Sequence, residues 1–175
     1  MPPLAEALGR WHEFYALLGT AAGTLVGLLF VAATVAAGVF PNDRPAPLRV
    51  FLSATVVHFS SVLILSLILL TPIENWSLLG VVVLVCGLIG VAYYGLVCRD
   101  ATRDGLMASI DLEDRIWYAV LPAVTYLSEA ASGIMLASRS AAGCVVLAIS
   151  LTALLVVGIH NAWDITVWTI TRRRE

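Results

Sequence analysis

The sequence contains no lysine and few charged residues of any kind. Charged residues make up 13% of the chain, whereas hydrophobic residues make up 60% and the mean hydropathy is +0.93. This composition excludes a soluble globular domain and a disordered chain. The cysteines are three in number and lie within or at the ends of apolar runs, so no disulfide framework is indicated. The main solvent of this protein is predicted to be a lipid bilayer.

Several sequence signals of chemistry are also missing. The chain has no phosphate-binding loop, no nucleophile elbow and no zinc-protease motif, so we expect no enzyme. It lacks the alternating segments of about ten residues that mark a transmembrane barrel. We expect no cofactor, no resident metal and no nucleic-acid partner.

Five apolar runs are long enough to cross about 30 Å of hydrocarbon as helices. They cover residues 15–38, 48–71, 78–97, 116–137 and 141–166. The connections between them are too short to hold a second folded unit. The sequence therefore predicts an all-α integral membrane bundle that forms a single domain over residues 1–175.

The arginines predict the orientation of these helices, because short cytoplasmic loops collect positive charge. With five spans, one side of the membrane receives only Arg10 and Arg139. The other side receives the remaining eight, namely Arg44, Arg49, Arg99, Arg103, Arg115, Arg172, Arg173 and Arg174. The distribution predicts an N-terminus outside and a C-terminus in the cytoplasm.

Two ionisable residues, His58 and Glu129, lie deep inside predicted spans. Such residues are costly in hydrocarbon and usually mark ion pathways, proton relays or polar contacts between helices. Their distances from the cytoplasmic ends of their spans are roughly 15 and 20 Å at 1.5 Å per residue. The two side chains are therefore candidates for a direct contact across a helix interface.

Each of these residues belongs to a polar stripe with helical spacing. The stripe of the second span contains Thr55, His58 and Ser61, and that of the fourth contains Thr125, Glu129 and Ser132. Pro122 precedes Glu129 and cannot donate a hydrogen bond to the Tyr118 carbonyl. One hypothesis is that the stripes line an ion pathway or a proton relay. The other is that His58 and Glu129 form a buried pair that holds two helices together.

Small residues line one face of the first span. Gly19, Gly23 and Gly27 recur at intervals of four, which allows another helix to approach closely. The pattern predicts helix packing, either within one chain or between subunits.

A third polar group, His160, Asn161 and Asp164, lies near the cytoplasmic end of the last span. His160 and Asp164 are one turn apart, but two ligands are too few for a metal site. A haem between His58 and His160 is not expected, because their predicted depths differ. The group is interpreted as ordinary solvated residues or as a cytoplasmic vestibule of an ion pathway.

Three stretches resemble a family of small multi-span bacterial inner-membrane proteins to which no activity is assigned. They cover residues 17–31, 56–59 and 158–164, with the sequences LLGTAAGTLVGLLFV, VVHF and GIHNAWD. The similarity extends over most of the chain. It implies a bacterial inner membrane and supplies no substrate or site.

These observations lead to two functional hypotheses. The first is a homo-oligomeric channel or permease for a small inorganic ion, with a cation favoured because no arginine lies at the depth of Glu129. The second is an accessory or scaffold protein that binds partner membrane proteins through its glycine-rich first helix.

Overall fold

A computed structural model describes residues 4–39, 46–103 and 112–171 of the chain, and this part is helical without strands. The helices are α1 (Leu4–Gly9), α2 (His12–Val39), α3 (Ala46–Leu70), α4 (Trp76–Arg103), α5 (Leu112–Arg115), α6 (Leu121–Ala137) and α7 (Ala142–Thr171). A short π turn, Ile116–Val120, joins α5 to α6 without a break, and we call this continuous segment the α6 rod. The described residues therefore form five long helical rods: α2, α3, α4, the α6 rod and α7.

The predicted all-α class is confirmed, and the helices have the length and composition of a multi-pass membrane protein. Four segments are long and apolar enough to span a bilayer, namely His12–Thr34, Trp76–Asp100, Ile116–Ala137 and Ala142–Asp164. The predicted span 48–71 also forms a helix, α3. Within the described residues its apolar part is shorter, Ala54–Leu70. Arg44, Arg172, Arg173 and Arg174 lie outside the described residues.

Two helices continue beyond their predicted spans. The span 78–97 becomes a helix that ends at Arg103, and the span 141–166 becomes one that ends at Thr171. A helix satisfies its own backbone hydrogen bonds, so it does not have to end where an apolar run ends. Hydropathy therefore located the apolar segments and underestimated the helices.

The rods pack side by side in the order α4, α6, α7, α3 and α2, and α3 also contacts α4. Neighbours in this order run antiparallel, as expected for short connections. The inner and outer positions differ in burial: 56% of the apolar window of α7 is buried, against 17% of that of α2. Helix α2 is therefore peripheral and leaves most of its apolar surface exposed.

The closest helix contact joins α4 to α6 through glycines of both helices. A Cβ on Gly87 would lie 2.5 Å from the backbone nitrogen of Ala130, and one on Gly133 would lie 2.7 Å from the Cα of Leu84. A Cβ on Gly80 would collide with the backbone of Ala137. Backbone against backbone contact of this kind requires glycine at these positions.

The predicted glycine face of α2 packs only in part. A Cβ on Gly19 would lie 2.9 Å from the Cβ of Ser66, and one on Gly23 would lie 3.7 Å from Leu63. Gly27 has nothing within 4 Å of its Cβ position. Two of the three glycines thus contact α3 within the same chain, whereas Gly27 faces open space.

The start of the α6 rod is widened by the π turn. The backbone N–H of Leu121 donates to the carbonyl of Ile116, five residues earlier. Pro122 follows immediately, and a proline ring clashes with the carbonyl four residues before it, here that of Tyr118. The widened turn relieves this clash, which the sequence indicated only as a missing hydrogen bond. At the other end of the rod, Arg139 adopts a positive φ of 61° in the tight turn to α7.

Candidate functional site

His58 is completely buried in the bundle, with 0% of its surface exposed. Its Nδ1 atom is 2.9 Å from the hydroxyl of Tyr126 on α6. The His58 Nε2 atom is also buried and has no hydrogen-bond partner among the described residues. The imidazole is therefore held from one side, and its other nitrogen is left for a further partner.

Aromatic rings surround this hydrogen bond. The His58 ring centroid lies 5.7 Å from that of Tyr126 and 5.8 Å from that of Tyr94 on α4. The Oγ of Ser61 lies 3.5 Å from the Tyr126 hydroxyl, one turn beyond His58. We call His58, Tyr94, Tyr126 and Glu129 the central cluster, to which α3, α4 and α6 contribute.

Glu129 is 1% exposed, and neither of its carboxyl oxygens has a hydrogen-bond partner among the described residues. Its position on α6 explains its burial. It precedes Ala130, which contacts α4, and lies about two turns before Leu136, which contacts Gly143 of α7. The carboxyl group is thus placed between the face of α6 that meets α4 and the face that meets α7.

An ionised carboxylate in such a position is costly because no counter-charge is near it. The ion pairs of the described residues are Arg10 with Glu6 and Arg99 with Asp100, both exposed and near helix ends. A buried charge without a partner destabilises a fold by several kcal/mol. The energetic cost of Glu129 is therefore not offset by the contacts of the described chain.

The contact proposed between His58 and Glu129 is not a direct hydrogen bond in this structure, because both His58 Nε2 and the Glu129 oxygens are unpartnered. Helices α3 and α6 run in the same direction, and Tyr126 meets His58. Glu129 lies three residues after Tyr126, which places it about 4.5 Å further along the bundle at 1.5 Å per residue. Tyr126 contacts His58, and Glu129 lies about one turn further along the same helix.

The predicted stripes supply hydroxyl groups around this cluster, and those of the α6 stripe bond to the backbone of their own helix. Thr125 donates to the Leu121 carbonyl, and Ser132 donates to the carbonyl of Glu129, each over 2.6 Å. Thr55 is fully buried, and Ser61 is half-buried. The oxygen atoms of such hydroxyls keep lone pairs that can still accept a hydrogen bond.

The predicted vestibule residues form a second group, which we call the end cluster: Trp117, Tyr118, His160, Asn161 and Asp164. Trp117 stacks on the His160 ring with centroids 3.8 Å apart and planes 5° apart. The Tyr118 hydroxyl donates to Asp164 Oδ2 over 3.3 Å. His160 is partly buried, and an indole ring covers one face of it.

Asn161 is buried, with only 2% of its surface exposed. It lies 18 residues, or five turns, after Gly143 and so shares the face of α7 that meets α6. The Asn161 Oδ1 and His160 Nδ1 atoms are buried without partners among the described residues. The end cluster thus resembles the central cluster, because both contain buried polar atoms that have no hydrogen-bond partner among the described residues.

Sequence reasoning missed both tyrosines and the glycine that makes room for one of them. A Cβ on Gly90 of α4 would collide with the Tyr126 ring. Tyr126 lies three residues before Glu129 on the same helical stripe, and this spacing was the available signal. A tyrosine is compatible with a lipid interface and with an apolar core, so the residue type alone does not predict a buried polar contact.

The described residues contain no group of three or more His, Cys, Asp or Glu side chains that could hold a metal ion. His160 and Asp164 remain the two-ligand pair of the sequence.

Comparison with protein-family profiles, curated proteins and solved structures found no match to this chain. The central cluster and the end cluster are therefore the features from which a function is inferred.

The hydrogen bond between Tyr126 and His58 leads to a test of stability. Tyr126→Phe removes one oxygen and leaves His58 Nδ1 buried without a partner, which costs about 1–3 kcal/mol. We expect a lower free energy of unfolding in detergent, measured by helix loss on denaturation. Tyr93→Phe is the comparison, because it removes the same oxygen from a tyrosine that is only partly buried, and we expect a smaller loss of stability. Equal stability of the two variants would show that the Tyr126 hydroxyl does not stabilise His58.

Proposed function

We propose that this protein is a membrane transport protein that moves a small inorganic cation through the interior of its helix bundle. Glu129 is the binding carboxylate in this proposal. The single observation that carries it is the burial of this carboxyl group without any partner among the described residues. Intramembrane acids of this kind are rare and characteristically serve ion pathways.

The burial of both His58 and Glu129 within one chain supports a pathway inside each protomer. A pathway between protomers would be lined by residues that are exposed in the single chain. The stacked Trp117 and His160 rings lie at the end of the bundle near Arg115 and close the route there. The described conformation is in this view a closed state that opens during transport.

The proposal includes a membrane arrangement. Five spans cross a bacterial inner membrane with the N-terminus outside and the C-terminus in the cytoplasm. The arginine distribution supports it, since Arg10 and Arg139 lie at one end of the bundle and Arg99 and Arg115 at the other. The protomers associate as a homo-oligomer through the exposed apolar surface of α2, with one pathway in each protomer.

The alternative function is a scaffold that binds other membrane proteins through α2. Gly27 favours it, because open space surrounds its Cβ position. Gly19 and Gly23 argue in the other direction, since α3 of the same chain already covers them. Crosslinking from position 27 would capture a heterologous membrane protein if the scaffold function is correct, and a second copy of the chain if the homo-oligomer is correct.

The transport function is tested by reconstitution into liposomes. Wild-type protein should pass a monovalent cation (H⁺, Na⁺ or K⁺) down an imposed gradient between about pH 5 and pH 8. Glu129→Gln should lower that flux at least about tenfold, because a charge-assisted contact contributes about 1.5–3 kcal/mol. Flux is measured with dyes specific for each ion inside the vesicles.

Glu74→Gln is the matched control, because Glu74 is an exposed carboxylate in the loop after α3. It removes the same charge and should leave the flux unchanged. If wild-type protein passes none of the three cations, or if both variants conduct like wild type, the transport proposal is wrong.

A further inference from the structure

The chemistry of the central cluster narrows the choice of cation. A metal cation in a protein needs several oxygen ligands arranged around it. The described residues offer one buried carboxylate here, and the titratable groups within electrostatic reach of it include the Tyr126 phenol and the Cys86 thiol. A proton, in contrast, needs only one acceptor at each step.

We infer that the transported cation is the proton, relayed between the Glu129 carboxyl group and His58 Nε2 while Tyr126 holds the imidazole. This inference rests on the proposed transport function and specifies its substrate. Three features carry it: the two unpartnered groups, the position of Glu129 one helical turn after the tyrosine that contacts His58, and the hydrogen bond between Tyr126 and Nδ1 of the imidazole ring.

The contact between Tyr126 and His58 Nδ1 leaves Nε2 as the nitrogen that takes part. In the proposed relay, His58 Nδ1–H donates to the Tyr126 oxygen over 2.9 Å, and the Tyr126 O–H donates to Ser61 Oγ, 3.5 Å away. The neutral imidazole then carries its proton on Nδ1 and presents the Nε2 lone pair to the interior. Tyr126 is accordingly a positioning residue for His58.

The transfer step is balanced in charge. The neutral Glu129 acid gives its proton to His58 Nε2 through one bridging water, and the products are a carboxylate and an imidazolium. These opposite charges attract each other, which reduces the cost of burying either one. The imidazolium next loses the Nε2 proton toward the end cluster, where His160 Nδ1 and Asn161 Oδ1 are buried without hydrogen-bond partners among the described residues. The carboxylate then takes up the next proton from the opposite end of the bundle.

The polar and titratable groups that face the relay lie on the helices packed around it. Tyr94 and Tyr126 flank His58, from α4 and α6, and the Cys86 thiol on α4 is within electrostatic reach of Glu129. Helix α7 presents Ser150 and Asn161 to the interior, and neither is charged. The described surroundings thus contain no fixed charge that would compete with the pair.

The inference is tested in liposomes held at a set membrane potential, with separate internal dyes for protons, Na⁺ and K⁺. Wild type should pass protons and neither metal cation. Glu129→Gln and His58→Gln should each lower proton flux by about a hundredfold, the lower end of what a positioned proton-transfer group contributes. Glu74→Gln and His12→Gln are the matched controls, because both residues are exposed, and they should conduct like wild type.

The role of Tyr126 is tested by nitrogen NMR of labelled histidine, with His12→Gln and His160→Gln used for assignment. Wild-type His58 should show protonated Nδ1 and unprotonated Nε2. Tyr126→Phe should give a mixture of the two tautomers and a lower proton flux. A wild-type His58 with its proton on Nε2 would overturn the assigned relay.

The flux outcomes separate the inference from the function on which it rests. Na⁺ or K⁺ flux that is lost in Glu129→Gln, without proton flux, would overturn the proton relay and leave cation transport standing. Absence of flux for all three ions would overturn both. Proton flux that persists in His58→Gln would remove His58 from the pathway, and the relay as described would be wrong.

Discussion

Glu129→Met should raise the free energy of unfolding by about 1–3 kcal/mol and abolish cation flux. Replacing an unsatisfied buried polar group by an apolar group of similar size removes a desolvation cost without opening a cavity. Glu129 has no partner among the described residues that the substitution would leave behind. Stability and function should therefore change in opposite directions.

This result separates an ion-binding residue from a structural one. If Glu129 held helices together, its replacement by methionine would lower stability, and the transport proposal would lose its main support. The measurement is denaturant unfolding in detergent beside flux in liposomes. Glu74→Met provides the reference, because Glu74 is exposed and its replacement should change stability by no more than about 0.5 kcal/mol.

Gly133→Ala should lower the free energy of unfolding by about 1–3 kcal/mol, the usual cost of overpacking a tight interface. The added methyl group would lie 2.7 Å from the Cα of Leu84 and 2.8 Å from the Gly80 carbonyl oxygen. Both are backbone atoms, so no side chain can rotate to make room. Helices α4 and α6 would have to move apart along the contact that places Tyr126 against Gly90.

Gly27→Ala and Gly95→Ala are the controls for this variant, since nothing lies within 4 Å of either Cβ position. Alanine is favoured over glycine in a helix by about 0.5–1 kcal/mol, so both controls should be neutral or slightly stabilising. The test is the midpoint of thermal helix loss for all three variants. If Gly133→Ala were as stable as the controls, the backbone contact between α4 and α6 would not be a determinant of stability.

Sequence reasoning located the helices because the requirement for a span is a long apolar run, which is a local property. It located His58 and Glu129 for a related reason, since an ionisable group within such a run is costly wherever it packs. The hydrogen-bond partner of His58, in contrast, depends on which helix packs beside α3. Tyr126 is 68 positions away in the chain, and no local pattern connects the two.

The glycines also show this difference between what a local pattern predicts and what depends on the neighbouring helix. The interval of four in α2 matches a known packing pattern, and it correctly indicated close approach at Gly19. The closer contact uses Gly80 and Gly87, an interval of seven, together with Gly133 of another helix. This contact requires the backbones of α4 and α6 to approach each other, and the sequence of one helix does not show which helix lies beside it.

The π turn at Ile116–Val120 also changes the phase of the α6 rod. Trp117 and Glu129 are twelve residues apart, which in an uninterrupted α-helix puts them about 120° apart around the axis. The π turn adds one residue to the turn that contains Trp117, so the angle between Trp117 and Glu129 is smaller than in an uninterrupted α-helix. The extra residue therefore brings the two clusters closer to one side of the rod.

The orientation of Trp117 toward the His160 ring therefore depends on the geometry of this turn. Reverting the wide turn to α-helical geometry would turn Trp117 by up to about 100° and remove it from the His160 ring, while Glu129 kept its place between α4 and α7.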